Sequence, residues 1–255
     1  MNKVKNWIRR ILLVVCICVF CYSAYNLISI YLDYKKIDDD YGKIESTYVK
    51  ETETKEGQAY LDIDWDSLLK RNSDVKAWIQ IPDTKVNYPV LQGETNDTYI
   101  HSDIDKKSFR AGCIFIDSNN QNPFQDINTV IYGHNMKNGS MFNNIKSYHD
   151  QDFANKHPYI YIYFPNGTVS QYKVVASHII SQESVLYNTQ IQNIPDFYQE
   201  MLKNSKIKVD FDQNQQTPVI TLSTCVSGDS NNEQRNVVHA LLNKANINPK
   251  EEKME

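Results

Sequence analysis

Apolar and polar positions follow different rules in successive parts of this chain. From Ile11 to Leu32 no residue is charged, a run of 22 positions. At about 1.5 Å per residue, such a helix crosses a hydrocarbon layer of about 30 Å. The run is longer than the roughly 7–15 residues of a signal-peptide core, and no clear small-x-small cleavage site follows. A cleaved signal sequence is the alternative reading. Residues 33–66 then hold 11 acids and five lysines. Their middle, around 51–57, has no apolar period and reads as a stalk. Asp64 or Asp66 can cap a short helix that carries Trp65, Leu68 and Leu69 on one side.

Beyond that helix the pattern changes to short β-branched runs. They are 77–81, which stops at Pro82, then 85–91, 113–116, 129–132, 159–164, 170–180, 219–222 and 236–242. Between the fifth and sixth runs, Pro165, Asn166 and Gly167 signal a hairpin, with Asn-Gly supplying positive φ. Ile194, Phe197, Met201 and Leu202 recur at helical spacing. At least eight strands with a few peripheral helices predict a mostly-β barrel of one domain. The expected organisation is a basic tail at 1–10, a transmembrane helix at 11–32, a stalk at 33–59 and one β domain at 60–255.

Composition narrows the picture. With 41% hydrophobic residues and only 8 Gly and 8 Pro in 255, the chain is neither low-complexity nor wholly disordered. A net charge of -4 makes nucleic acid an unexpected partner. Lys3, Lys5, Arg9 and Arg10 precede the apolar run with no acid among them, so the N-terminus is expected in the cytoplasm and the C-terminal part outside. Cys16, Cys18 and Cys21 lie within the span as small apolar residues, with acylation as an alternative. Cys113 and Cys225 remain for the exported part. A disulfide between them is compatible with an oxidising space, but spacing alone does not establish it.

Candidate chemistry concentrates in three places. The strand from Val219 ends in Thr221–Cys225 (TLSTC) and runs into the polar stretch 227–232, which holds a thiol rigidly yet within reach of a loop. The bland reading is a buried, inert cysteine. In Tyr132–Met136 (YGHNM), His134 lies just past a β-branched run, and an imidazole near a thiol stabilises its thiolate and protonates a leaving amine. His239 and His178 read as structural, and His101, His149 and His157 as surface residues. No zinc-like spacing occurs, so a metal site is not expected; an acyl transfer carried by a thiol and an imidazole implies no metal or organic cofactor. Arg235 follows Cys225 by ten residues, and an antiparallel return brings its planar donors beside the thiol, where an oxyanion would develop. Its alternative is a surface ion pair with Glu233 or Asp229.

TLSTC, the YGH motif 91 residues earlier and the R-x-V-V-H-A strand ten residues later together resemble the sortase family, the membrane-anchored cysteine transpeptidases of Gram-positive surfaces. The resemblance spans about residues 60–243. The stretch 188–206, Trp78–Pro82 (WIQIP) and Gly133–Phe142 are similar to class B sortases. The resemblance implies a single eight-stranded sortase-type β-barrel with His134, Cys225 and Arg235 as catalytic residues. It further implies Ser223 beside the nucleophile, Asn96 and Ile100 lining a sorting-peptide groove, and Tyr187 joining them. Val226 stands where some class B members carry an acid. Its implied partners are exported proteins bearing a sorting motif and an amine acceptor of peptidoglycan or a pilin. The implied place is the cell membrane, single-pass, with the catalytic domain extracellular. Two alternatives stay open: a non-catalytic wall- or protein-binding barrel on the same scaffold, and a thiol peptidase with water as acceptor.

Overall fold

The computed structural model of the chain describes residues 2–53, 59–212, 217–228, 231 and 233–249. Contacts divide the chain into two compact units, one up to Lys43 and one from Ile44 onward. The first is carried by helix α1 (Asn2–Tyr48). Leu12, Leu13, Val14 and Val15 are all exposed, and four consecutive positions cover every side of a helix with 3.6 residues per turn. A helix in water buries one apolar stripe, whereas one that is apolar all round suits lipid. Its most apolar window has a mean hydropathy of 2.4, enough by length and composition to cross a membrane.

The stretch expected as a stalk carries regular structure. Helix α1 continues through Tyr48, where Ile37, Tyr41 and Ile44 are buried at i, i+4 and i+7 along one face. Strand β1 (Val49–Glu53) then pairs antiparallel with β2 (Ala59–Ile63). Residues 54–58, within the expected stalk, lie outside the described residues.

Helix α2 (Trp65–Arg71) starts where the acids predict, with the Asp64 carboxylate accepting from the Ser67 N–H at 3.1 Å. There follow β3 (Val75–Gln80), β4 (Asn87–Leu91), α3 (Asp97–Ile100), β5 (Ile114–Ile116) and β6 (Asn128–Tyr132). A 3₁₀ turn (Asn143–His149) leads to α4 (Gln151–Lys156). Then come β7 (Tyr159–Tyr163), β8 (Val169–Ser181), a 3₁₀ turn (Val185–Tyr187), α5 (Ile194–Leu202), β9 (Val219–Cys225) and β10 (Gln234–Ile247). The β7–β8 turn takes its expected form: Gly167 has φ 82° and donates to the Phe164 carbonyl at 2.9 Å.

Strands β3 to β10 close into an eight-stranded barrel in the order β10-β8-β7-β3-β4-β5-β6-β9. Trp78, Ile79, Val130, Ile131, Leu222 and Val238 are fully buried in it. Phe197, Tyr198 and Met201 of α5 pack on Val175, Val219 and Leu241 from the outside. Two pairings are parallel, β4 with β5 and β6 with β9. The second positions the site. Parallel strands finish at the same end of a sheet, so the C-terminal ends of β6 and β9 emerge together although they lie far apart in sequence.

Candidate active site

Cys225 is the last residue of β9 and Arg235 the second of β10, and the two face each other in the antiparallel register. The Val226 N–H donates to the Gln234 carbonyl at 3.3 Å. That makes 226 and 234 the hydrogen-bonding pair and 225 and 235 the closer, non-hydrogen-bonded one, with side chains on one face. On the other flank of β9, Tyr132 pairs with Ser223 in the parallel ladder. Two residues further along each strand come His134 and Cys225, so the period of two brings both to the same step. The half-buried thiol of Cys225 thus has an arginine across one neighbouring strand and a histidine beyond the end of the other.

The imidazole of His134 is held from its far side. Its Nε2 lies 2.6 Å from the Ile100 carbonyl oxygen. A carbonyl only accepts, so Nε2 carries the proton and Nδ1 keeps the lone pair in the neutral ring. The exposed His101 ring stacks on it, with centroids 5.4 Å apart. Burial, with the neighbouring His101 adding to it, holds the His134 pKa below the ordinary histidine value, against the opposing pull of the Ile100 carbonyl. The neutral imidazole is therefore the resting form at neutral pH.

Ser223 and Cys225 lie on one face of β9, and the Ser223 hydroxyl meets the Tyr187 hydroxyl at 2.8 Å. Burial first of all pushes the Tyr187 phenol up to about 12, so it stays protonated. Its ring stacks with Tyr132 at 6.2 Å, and Tyr132 donates to the Asp117 carboxylate at 2.8 Å. The turn carrying Tyr187 docks because Asn128 Nδ2 donates to the carbonyls of Leu186 and Asn188, each at 3.0 Å. Ile100 reaches the site through its backbone, as the acceptor for His134. Asn96 precedes α3, one turn before Ile100, and its Oδ1 accepts from the Ser118 N–H at 2.9 Å. The guanidinium of Arg235 donates to the Gln182 side chain and the Gln234 carbonyl, each at 2.9 Å. Asp229, the other acid considered for Arg235, lies outside the described residues.

Two histidine expectations are corrected. His157 is buried, its ring 4.3 Å from that of Phe153 and its Nδ1 3.1 Å from the Pro82 carbonyl. His149 is half-buried between the Ser177 hydroxyl at 2.7 Å and Asn236 Oδ1 at 2.9 Å. Their polar neighbours in sequence suggested solvent, but α4 and the 3₁₀ turn before it fold onto the barrel. His178 and His239 are buried, as expected of structural residues. Cys113 is a buried free thiol directed at the Ser102 carbonyl at 3.2 Å, and Cys225 is also free. Among the described residues no three His, Cys, Asp or Glu side chains come together as a metal-binding group.

Several polar partners were missed in the sequence. Asn135 Nδ2 donates to the Cys225 carbonyl at 2.9 Å, and Asn236 Nδ2 to the same oxygen at 3.1 Å. The available signal was a polar Asn236 beside an otherwise apolar strand run, where burial demands a partner.

The family model described as the sortase domain matches residues 79–243. The chain is 30% identical over 247 residues to sortase B of Listeria monocytogenes, covering 94% of this chain and 98% of that protein. It is 31% identical over 236 residues to sortase B of Staphylococcus aureus, covering 91% and 94%. Among solved structures, a substrate complex of Staphylococcus aureus sortase B superposes with a TM-score of 0.69 at 27% identity, covering 84% of this chain and 99% of that one.

Proposed function

From the premise that this chain belongs to the sortase family and within it to class B, and is a cysteine transpeptidase, we propose which bond it cuts and which atoms do so. The substrate is an exported protein whose C-terminal sorting motif contains a threonine. The sulfur of Cys225 attacks the threonine carbonyl carbon while the thiol proton passes to Nδ1 of His134. Arg235 and a backbone N–H stabilise the oxyanion. The C–N bond then breaks, the imidazolium returns its proton to the departing amine, and a thioester remains on Cys225. An amino group of the cell wall attacks that thioester, transfers the protein and regenerates the thiol. The neutral resting imidazole supports proton transfer in step with attack rather than from a standing ion pair. Ser223, Tyr187, Asn96 and Ile100 would line the peptide groove, with the Tyr187–Ser223 contact setting the wall next to the thiol.

Helix α1 would anchor the enzyme with its basic N-terminus in the cytoplasm and the barrel outside, where precursors emerge from the same membrane. Tethering both partners raises their effective concentration. The single observation that carries this reading is the shared register: Cys225 opposite Arg235 on β10, and one step of two residues past the pair Tyr132–Ser223 that leads to His134. To test it, detergent-solubilised enzyme is incubated with a panel of sorting peptides, with and without added amines, and products are identified by mass. Cleavage after threonine with amine-dependent ligation is expected. Cleavage elsewhere, or products blind to the amine, would overturn the assignment of bond and acceptor.

A further inference from the structure

The β6–β9 ladder stops one rung short of the nucleophile. Its last regular bond runs from the Gly133 N–H to the Ser223 carbonyl at 3.1 Å. By the two-residue repeat of a parallel ladder, the next would run from residue 135 to the Cys225 carbonyl. The contact at that place is made by the Asn135 side chain, Nδ2 to the Cys225 oxygen at 2.9 Å. The side-chain amide thus stands in for a backbone rung, and the backbone carrying His134 is free to leave the strand. Asn135 is itself held: Asn143 Nδ2 donates to its Oδ1 at 2.7 Å, and its own Nδ2 also reaches the Ser227 hydroxyl at 3.0 Å.

From the opposite flank, Asn236 Nδ2 donates to the same Cys225 oxygen at 3.1 Å. Its amide is oriented by His149, whose Nε2 lies 2.9 Å from Asn236 Oδ1 and whose Nδ1 lies 2.7 Å from the Ser177 hydroxyl. Because Asn236 Oδ1 can only accept, Nε2 of His149 carries the proton. Turning the Asn236 amide over would set its oxygen against the Cys225 carbonyl and its NH₂ against the His149 N–H, losing both bonds. Asn135 follows His134 in sequence and Asn236 follows Arg235, so each residue adjacent to a proposed partner of the thiol grips the peptide of the thiol itself.

We propose that Asn135 and Asn236 form a clamp on the Cys225 carbonyl and act as positioning residues that fix the Cys225 peptide plane, and through it the thiol, relative to His134 and Arg235. The proposal rests on the roles assigned to those three residues above. Misplacement of reacting groups by about 1 Å can cost about 100-fold in rate. Neither asparagine needs to touch the substrate for this, so the loss belongs in the chemical step.

The test compares full-length wild-type enzyme in detergent with Asn135→Asp, Asn236→Asp and Asn143→Ala, measuring single-turnover acylation by intact mass, KM and thermal melting. Aspartate fills the same volume and still accepts from Asn143 or His149, but sets an oxygen against the Cys225 carbonyl. Acylation is expected to fall about 10- to 100-fold in both aspartate variants, with KM changed by less than about twofold. Asn143→Ala leaves both donors and frees one amide to turn, so a loss of about three- to tenfold is expected. If Asn236→Asp, at a buried position, melts below the assay temperature, the half-exposed Asn135 and Asn143 decide. Should Asn135→Asp fail in the same way, Asn143→Ala decides alone. Wild-type acylation rates in the folded variants would overturn the clamp, and a loss confined to KM would make these residues peptide contacts instead. Failure of wild-type enzyme to acylate at all would sink the parent reading and is seen separately in the same experiment.

Discussion

At the scale of single residues, the decisive contacts are those that set where protons sit. His134 holds its proton on Nε2 against Ile100, which leaves Nδ1 as the nitrogen that takes the thiol proton in the proposed mechanism. His239 shows the same logic in a structural role. The Thr221 hydroxyl donates to Asn128 at 2.7 Å, so it must accept from His239 Nδ1 at 2.9 Å, and Nε2 faces a buried site with no partner. Burial accordingly pushes the His239 pKa down from 6.5 to about 3. The folded state refuses a proton that the unfolded state accepts, so its stabilising contribution is full above pH 6.5 and is lost as pH falls toward about 3. Melting temperature is therefore expected to fall through that window, and His239→Gln to flatten the slope in melts taken across it. An unchanged slope would refute the assignment. For Arg235, Arg235→Lys keeps the charge but not the planar fork. It is expected to leave Cys225 alkylation near wild-type while acyl-enzyme formation drops about 10²–10³-fold. Equal loss of both rates would instead give the arginine a part in activating the thiol. The residue types at these positions were legible in the sequence because the proposed nucleophile, base and oxyanion donor each sit at or just beyond a strand end. Asn135 and Asn236 were not, since an asparagine announces a partner only once its burial is known.

At the scale of elements, short β-branched and apolar runs revealed all eight barrel strands, although β10 continues past the expected end at 242 to Ile247. The hairpin of β7 and β8 and the helix α5 were equally plain. Periodicity says nothing about which strand lies beside which, so the parallel pairing of β6 with β9, which builds the site, was out of its reach. Hairpin β1–β2 escaped because charged residues dominate that stretch and hide its alternation. One element owes its shape to a missing side chain. Gly112 has φ 57°, and a Cβ there would lie 2.4 Å from the Ile100 carbonyl oxygen, the same oxygen that receives His134. Backbone cannot move aside as the tip of a side chain can. Gly112→Ala is expected to cost at least about 1 kcal/mol of stability from the left-handed backbone alone, and to lower acylation further by shifting the Ile100 carbonyl from under the imidazole. Thermal melts and single-turnover rates check both halves. An active, normally stable Gly112→Ala would show that this loop yields where rigidity is claimed.

At the scale of the whole molecule, an apolar helix and a closed barrel divide the work of location and chemistry. The barrel has its own buried core, with Trp78, Ile79, Val130, Ile131, Leu222 and Val238 wholly shielded from solvent. Removing residues 1–32 is therefore expected to leave a folded, peptide-cleaving protein with a melting transition close to that of the full chain. Loss of the cooperative transition on truncation would contradict this. The apolar helix could be read from 22 uncharged positions, because a long run without charge is the composition that lipid demands of a spanning segment. The extension of α1 beyond it was less visible, since its buried positions Ile37, Tyr41 and Ile44 stand among many charged residues that mask their helical spacing. Cys225 is proposed to carry the acyl group between substrate and acceptor, a role read from the intact mass of wild-type enzyme quenched during turnover of a sorting peptide, followed by mapping of the modified residue. A mass increase matching the acyl fragment that ends in threonine is expected on Cys225, discharged by added amine and absent in Cys225→Ala. Full turnover by Cys225→Ala, or an adduct on Cys113 instead, would contradict it.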